Sequence, residues 1–482
     1  MKPSMFSIFI ILLGVIMIAN LRAQDQLDRT KRPKPQKVPK VELPEIQKAQ
    51  LPNGLNIWLV EHHELPIVAF NLVVQAGSDH DPINKPGIAS MTADVIDEGT
   101  KTRDALQISD ELQYIGANLN ISSNVDGTFM TLNTLTKHLD KALDIYIDVL
   151  LNPTFPQKEF DRLKKQRLTS LLQQKDQPVT IASLASNHIL YGAQHPYGNN
   201  ATGTEASLNA MSTDDLVQFY STYYRSNNAT LIVVGDVKLK EITQRLEKAF
   251  ENWKPGTIPP MTIPSAPIVD RRRVYLIDKP GAAQSEIRIG YPAAARNSPD
   301  FFPIMLMNRA LGGQFTSRLN LNLREKHGFT YGARSSFSFN KYPGPFVAGA
   351  GVTTAKTDSS IREFLYEIDK THEEGISEDE LAFVKRGLTG FFALSFETPA
   401  QIAGALQNIV LYKLPENYYE TYLQNIDKVS LAEVRQASKK YLDSSKMAVV
   451  VVGDLKIVRD GIEKLGVGET VLCNIEGNRI TQ

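Results

Sequence analysis

Apolar and polar positions follow two rhythms along this chain, period two in short runs and period 3.6 in longer ones. Residues 67–74 and 127–135 read as strands, with 119–123 beside the second, and 51–57 places the turn Asn53-Gly54 between two strand-like arms. Helical spacing runs over 139–151, 157–174 and 180–190, and again over 238–250 and 457–465. Residues 87–99 follow the first of these strands and a polar turn. There Ile88, Met91, Val95 and Ile96 fall on one helical face, while Ser90, Ala93 and Asp94 fall on the face left for chemistry.

One passage occurs twice. Met211 through Asp236 returns as Val429 through Asp454 at a constant offset: Ser212 matches Ser430, Tyr223 matches Tyr441, and Val-Val-Gly-Asp closes both copies. Each copy reads as an N-capped helix, a turn and a buried strand of β-branched residues. Two homologous domains account for this most simply, 47–253 and 271–482, joined by a Pro-rich linker over 254–270. Strands followed by long helices in each half predict an α+β fold, with helices covering one face of a mostly antiparallel sheet.

The chain's start is of another kind. Lys2, an apolar run over 5–18 and Leu21-Arg22-Ala23 ahead of Gln24 make 1–23 a secretory signal too short to span a bilayer, so no stable membrane insertion is expected after its cleavage. Residues 24–46, rich in Pro and Lys, read as an extended tether. Lys plus Arg and Asp plus Glu total 53 each, so no overall field favours nucleic acid. The single cysteine, Cys473, has no partner for a disulfide within the chain and reads as a small apolar filler. An exported chain without disulfides fits a bacterial periplasm.

Five motifs then occur in a telling order: LPNGLNIWLVEHHELP (51–66), GIASMTADVIDEGT (87–100), HPYG (195–198) with Gly203, YYRSNNATLIVVGD (223–236) and SRLNLNLREKHGFTY (317–331). Together they resemble the peptidase M16 family of insulinase and the mitochondrial processing peptidase. The resemblance implies two homologous α/β domains of the LuxS/mitochondrial-processing-peptidase-like metallohydrolase type, forming half of a clam-shaped chamber. It also places the family's inverted zinc motif, His-x-x-Glu-His, on residues 87–99. Aligned there, the first His falls on Ser90, the general-base Glu on Ala93 and the second His on Asp94, while the distal Glu ligand falls at Ser170. No imidazole remains to build the cage that lowers the pKa of a zinc-bound water, and Ala93 cannot accept its proton. His62 and His63, neighbours in an expected strand, point to opposite faces, and His188 and His195 straddle Tyr191-Gly192, so neither pair rescues a metal site.

The second half retains a different element. Arg324 and Tyr331 resemble the family pair that one half contributes to the zinc-bearing half across the chamber, the Arg holding a substrate carbonyl or carboxylate and the Tyr donating to the oxyanion. Gly328 is expected to end the preceding helix so that Tyr331 begins a strand, and Arg318 to serve a structural ion pair. The short segment 311–317 lacks the glycine-rich loop of the processing peptidase's non-catalytic subunit, which makes the bacterial paired type the nearer likeness. The resemblance thus implies a subunit without its own metal, a zinc-bearing sister chain as partner, zinc in that partner, and a peptide or unfolded polypeptide as substrate. A catalytically inactive scaffold and a peptide-binding module remain alternatives.

Overall fold

The computed structural model describes residues 44–267 and 269–480; the leader expected over 1–23 and residues 24–43 of the tether lie outside them. Six strands build the first sheet: β1 (Gln47–Gln50), β2 (Asn56–Glu61), β3 (Ile67–Val74), β4 (Asn118–Ser123), β5 (Thr128–Leu135) and β6 (Ala229–Gly235), in the order β1-β2-β6-β3-β5-β4. Six more build the second: β7 (Arg273–Asp278), β8 (Gln284–Ala294), β9 (Arg334–Phe337), β10 (Gly344–Thr353), β11 (Ala448–Gly453) and β12 (Glu469–Cys473), in the order β12-β7-β11-β8-β10-β9.

From β2 and from β7 onward the two sheets follow one path. β2 lies parallel to β6 as β7 does to β11, and the next three pairings in each sheet are antiparallel. The sheets differ only at one edge, where β1 returns antiparallel through the Asn53-Gly54 turn and β12 arrives parallel to β7. Both sheets are mostly antiparallel, as the sequence suggests, with one parallel pairing in the first and two in the second.

The repeated Val-Val-Gly-Asp tetrad has a steric reason. β6 and β11 are central strands buried on both faces, hence their unbroken β-branched runs. Each ends at a glycine pressed against a neighbouring strand: a Cβ on Gly235 would stand 2.2 Å from the Ile67 carbonyl oxygen, and one on Gly453 would stand 2.6 Å from Ser285 Oγ.

Helices cover both faces of the sheets, not one as the strand-then-helix order suggested. The outer face of the first sheet packs on its own half's helices, with Phe70 against Tyr146 and the Tyr146 hydroxyl donating to the Met130 carbonyl at 3.0 Å. The inner faces are covered by exchange. Helix α3 (Pro178–Tyr191), from the first half, lays Ile181, Ala182 and Ala185 on Ile277, Val450 and Val452 of the second sheet. Helix α4 (Pro399–Tyr412), from the second half, lays Ile402, Leu406 and Ile409 on Val60, Val73, Ile232 and Val234 of the first. Cys473 is buried in the α3 layer, where burial pushes its thiol up to about 11.

A seam of polar groups joins the halves beside these helices. Lys341, in the turn between β9 and β10, reaches Asp79 Oδ2 at 3.4 Å and donates through its Nζ to the Asp126 carbonyl. Its backbone N–H donates to Asp126 Oδ2 at 3.0 Å, and the Tyr197 hydroxyl donates to Asp126 Oδ1 at 2.7 Å. Among the described residues no helix is long and apolar enough to cross a membrane.

Candidate functional site

Helix α1 (Ile88–Val95) begins where Gly87 takes a φ of 97°, a conformation free of strain only for glycine. A Cβ there would also stand 2.7 Å from the backbone of Gly203, so the glycines of two separate motifs meet at the helix start. Asp81 caps that start, accepting from the Gly87 N–H at 2.6 Å and the Ala89 N–H at 2.8 Å. Burial pushes the Asp81 carboxyl up to about 7 despite these two donors. Ile88, Met91 and Val95 sit in the core as their spacing predicts. Ala93 joins them at 1 % exposure, which leaves Ser90 and Asp94 as the polar part of the helix.

Helix α2 (Gln157–Gln174) packs against α1 and brings one more residue to that polar part. Arg167 donates through one guanidinium nitrogen to Ser90 Oγ at 3.1 Å and to Asp94 Oδ2, and through the other to the Thr202 carbonyl at 3.4 Å. The structure therefore brings Ser90 and Asp94 together around a cation supplied by the chain. Ser170, one turn further along α2, is exposed and among the described residues accepts from Gln174 Nε2 alone, at 3.4 Å. A hydroxyl and a carboxylate already committed to a guanidinium are a poor donor set for zinc, which takes imidazole, thiolate and carboxylate ligands. Among the described residues no group of three or more His, Cys, Asp or Glu could hold a metal ion.

His63, His188 and His195 have structural partners, whereas the buried Nδ1 of His62 has none among the described residues. His62 and His63 follow the end of β2 rather than lying in it, and His63 sits between Asp236 (2.7 Å) and Glu61 (3.0 Å), carboxylates that hold its pKa above the usual range. His188 contacts Asn478 Oδ1 at 3.0 Å, while the buried His195 accepts from the Tyr197 N–H at 3.0 Å, burial lowering its pKa.

In the second half, Arg318 makes a two-pronged ion pair with Glu380, at 2.7 and 2.6 Å. Arg324 lies in the π-helical turn Leu321–Lys326, and its guanidinium stacks over the Phe315 ring at 4.7 Å. Gly328, with a φ of 64°, ends that turn as expected. Tyr331 does not begin a strand: β9 starts at Arg334, and Tyr331 follows an isolated bridge between Thr330 and Val352. Its ring is 90 % exposed. The hydroxyl is thus presented outward on a loop braced by Thr330 Oγ1, which donates to the Gly351 carbonyl at 2.7 Å. An open groove of 690 Å³ lies alongside, lined by Phe315, Gly332 and Arg334 and by the Glu286–Arg288 ion pair (2.9 Å).

Sequence reasoning missed Arg167, Asp81 and the Lys341 seam. Arg167 had one usable signal, its place three residues before Ser170 on the same helix, which puts both on one face.

Two family profiles match the chain: one described as insulinase (peptidase family M16) over residues 57–198, the other as peptidase M16 inactive domain over 210–388. The chain is similar to the "Non-peptidase homolog YmxG" of Helicobacter pylori, 27% identical over 414 residues, which cover 86% of this chain and 94% of that protein. It is also similar to the "Zinc protease PqqE" of the same organism, 23% identical over 420 residues, 84% of this chain and 93% of that one. Among solved structures, the peptidase M16 inactive domain from Pseudomonas fluorescens matches with a TM-score of 0.80 at 27% identity, covering 85% of this chain and 98% of its own. The first half of the periplasmic protease PqqL from Escherichia coli shares the fold with a TM-score of 0.72 at 16% identity, over 89% and 96%.

Proposed function

Because the chain belongs to the M16 peptidase family, we propose that it is the metal-free member of a two-chain endopeptidase, closing the chamber over a zinc-bearing sister. One contrast supports this reading above all. The first half has no hydrolytic machinery at the family's zinc helix, whereas the second half holds Tyr331 out to solvent and Arg324 on an aromatic shelf, where its one ion pair within the described residues is a long contact of 3.5 Å to the neighbouring Glu325. An exposed hydroxyl on a braced loop is placed to serve a neighbouring molecule.

In this reading the sister's zinc supplies the activated water, and this chain supplies donors. The Arg324 guanidinium holds a carbonyl or carboxylate of the substrate, and the Tyr331 hydroxyl donates to the oxygen on which charge develops. The substrate is an extended peptide or unfolded segment added as a strand to a sheet edge of the sister. The leader over 1–23 puts the pair in the periplasm of a bacterium.

The test is Tyr331→Phe in the assembled pair. It removes one oxyanion donor and leaves the ring, so kcat falls by about 10²–10³-fold while assembly is unchanged. Full turnover in that variant sinks the role of Tyr331. The alternative, a peptide-binding or scaffold protein, draws on the relative named a non-peptidase homolog. It predicts peptide binding without any change in a sister chain's activity.

A further inference from the structure

The family's zinc ligands, as the resemblance implies, fall at Ser90 and Asp94 on α1 and at Ser170 on α2, so that a metal would join the two helices. We propose that Arg167 is this chain's substitute for that metal: a fixed internal cation that joins the two helices and keeps a metal ion out.

Four observations carry this. The guanidinium contacts the side chains at both positions where the family's histidines fall, Ser90 at 3.1 Å and Asp94 through an ion pair. Arg167 comes from α2, the helix that supplies the family's distal ligand, one turn before the Ser170 position, so the cation enters from the side a metal would be held from. Its side chain is only 11 % exposed, whereas that of Asp94 is 43 % exposed. The positive charge is therefore the inner member of the pair and the carboxylate closes it from the solvent side. The third contact, to the Thr202 carbonyl at 3.4 Å, falls beside Gly203, whose backbone meets Gly87 at the start of α1. One planar fork thus ties α1, α2 and the loop behind them, which a lysine point charge could not do.

The short side chains of Ser90 and Asp94 also fit this role. A bulkier imidazole at either position would compete for the space, and a divalent cation there would meet the positive charge of Arg167 at close range. An ordinary surface ion pair, by contrast, would leave the helices indifferent to its loss. The inference rests on family membership and on these contacts, and not on the two-chain reading, so it stands or falls separately.

The test uses the full chain and two readouts. In thermal unfolding, Arg167→Met and Asp94→Asn each lower the midpoint by about 2–4 °C. The double variant falls no further than the worse single one, and Arg167→Lys recovers only part of the loss. Additive shifts, or shifts under about 1 °C, overturn the proposal. For metal exclusion, a chain carrying Ser90→His and Ser170→Glu offers an imidazole and two carboxylates, counting Asp94. Zinc alone is titrated into it, with Arg167 present and with Arg167→Ala added. The expected result is no retained zinc in the first and one per chain in the second. Equal retention in both, or retention in neither, shows that Arg167 is not what keeps the metal out.

Discussion

At the scale of single residues, the chemistry of this chain is decided by substitutions on one helix and by the side chain that took up the vacancy. The loss was legible in the sequence alone, because none of Ser90, Asp94 and Ser170 is an imidazole or the distal Glu, and Ala93 cannot accept a proton. Arg167 was not legible. An arginine on a polar helix reads as solvated, and only the packing of α2 on α1 turns it inward. Asp81 was hidden for a similar reason, since a cap six residues ahead of Gly87 depends on the path of the intervening turn. It carries a prediction. Its pKa is raised from 3.8 to about 7, so between these values the native state holds a proton that the unfolded chain has released. The stability it contributes is fully present below about pH 4 and is lost as pH rises through 7. The difference in unfolding midpoint between the natural chain and Asp81→Asn therefore narrows from pH 5 to pH 8. A difference that stays flat or widens over that range contradicts the assignment.

Among elements, the exchange of α3 and α4 dominates. The continuous apolar runs of β3 and β6 state that both faces are buried, and the repeat states that two such sheets exist. Neither says what covers the second face. A helix such as 180–190 shows an apolar side of ordinary period, and periodicity carries no address. The expected strand at Tyr331 failed for a related reason: β-propensity at Phe329-Thr330-Tyr331 is overridden because only Thr330 finds a partner, in Val352. The exchange makes each half's stability depend on the other. Leu406, 4 % exposed on α4, packs over the first sheet, so Leu406→Ala costs about 2–5 kcal/mol and speeds hydrogen exchange in β3 and β6. An effect confined to residues beyond 271 argues against this coupling.

Across the whole molecule, the seam decides whether two lobes act as one body. The HPYG motif, read as a family marker, contributes no chemistry there; His195 and Tyr197 anchor the turn of Lys341 against Asp126. Tyr197→Phe leaves the buried Asp126 short of a donor and costs about 1–3 kcal/mol in denaturant unfolding, whereas Tyr114→Phe, on a ring 91 % exposed, costs nothing measurable. Equal losses would point away from the seam. The proposed function asks this two-lobed body to offer a sister chain Arg324 and the exposed Tyr331. The most direct measurement is cleavage of an unfolded peptide by the purified chain alone, by an exported zinc-bearing sister alone, and by the mixture, with zinc assayed on each chain. Full cleavage is expected only in the mixture, with zinc confined to the sister; zinc and cleavage in this chain alone, or a sister indifferent to its presence, would contradict the two-chain reading.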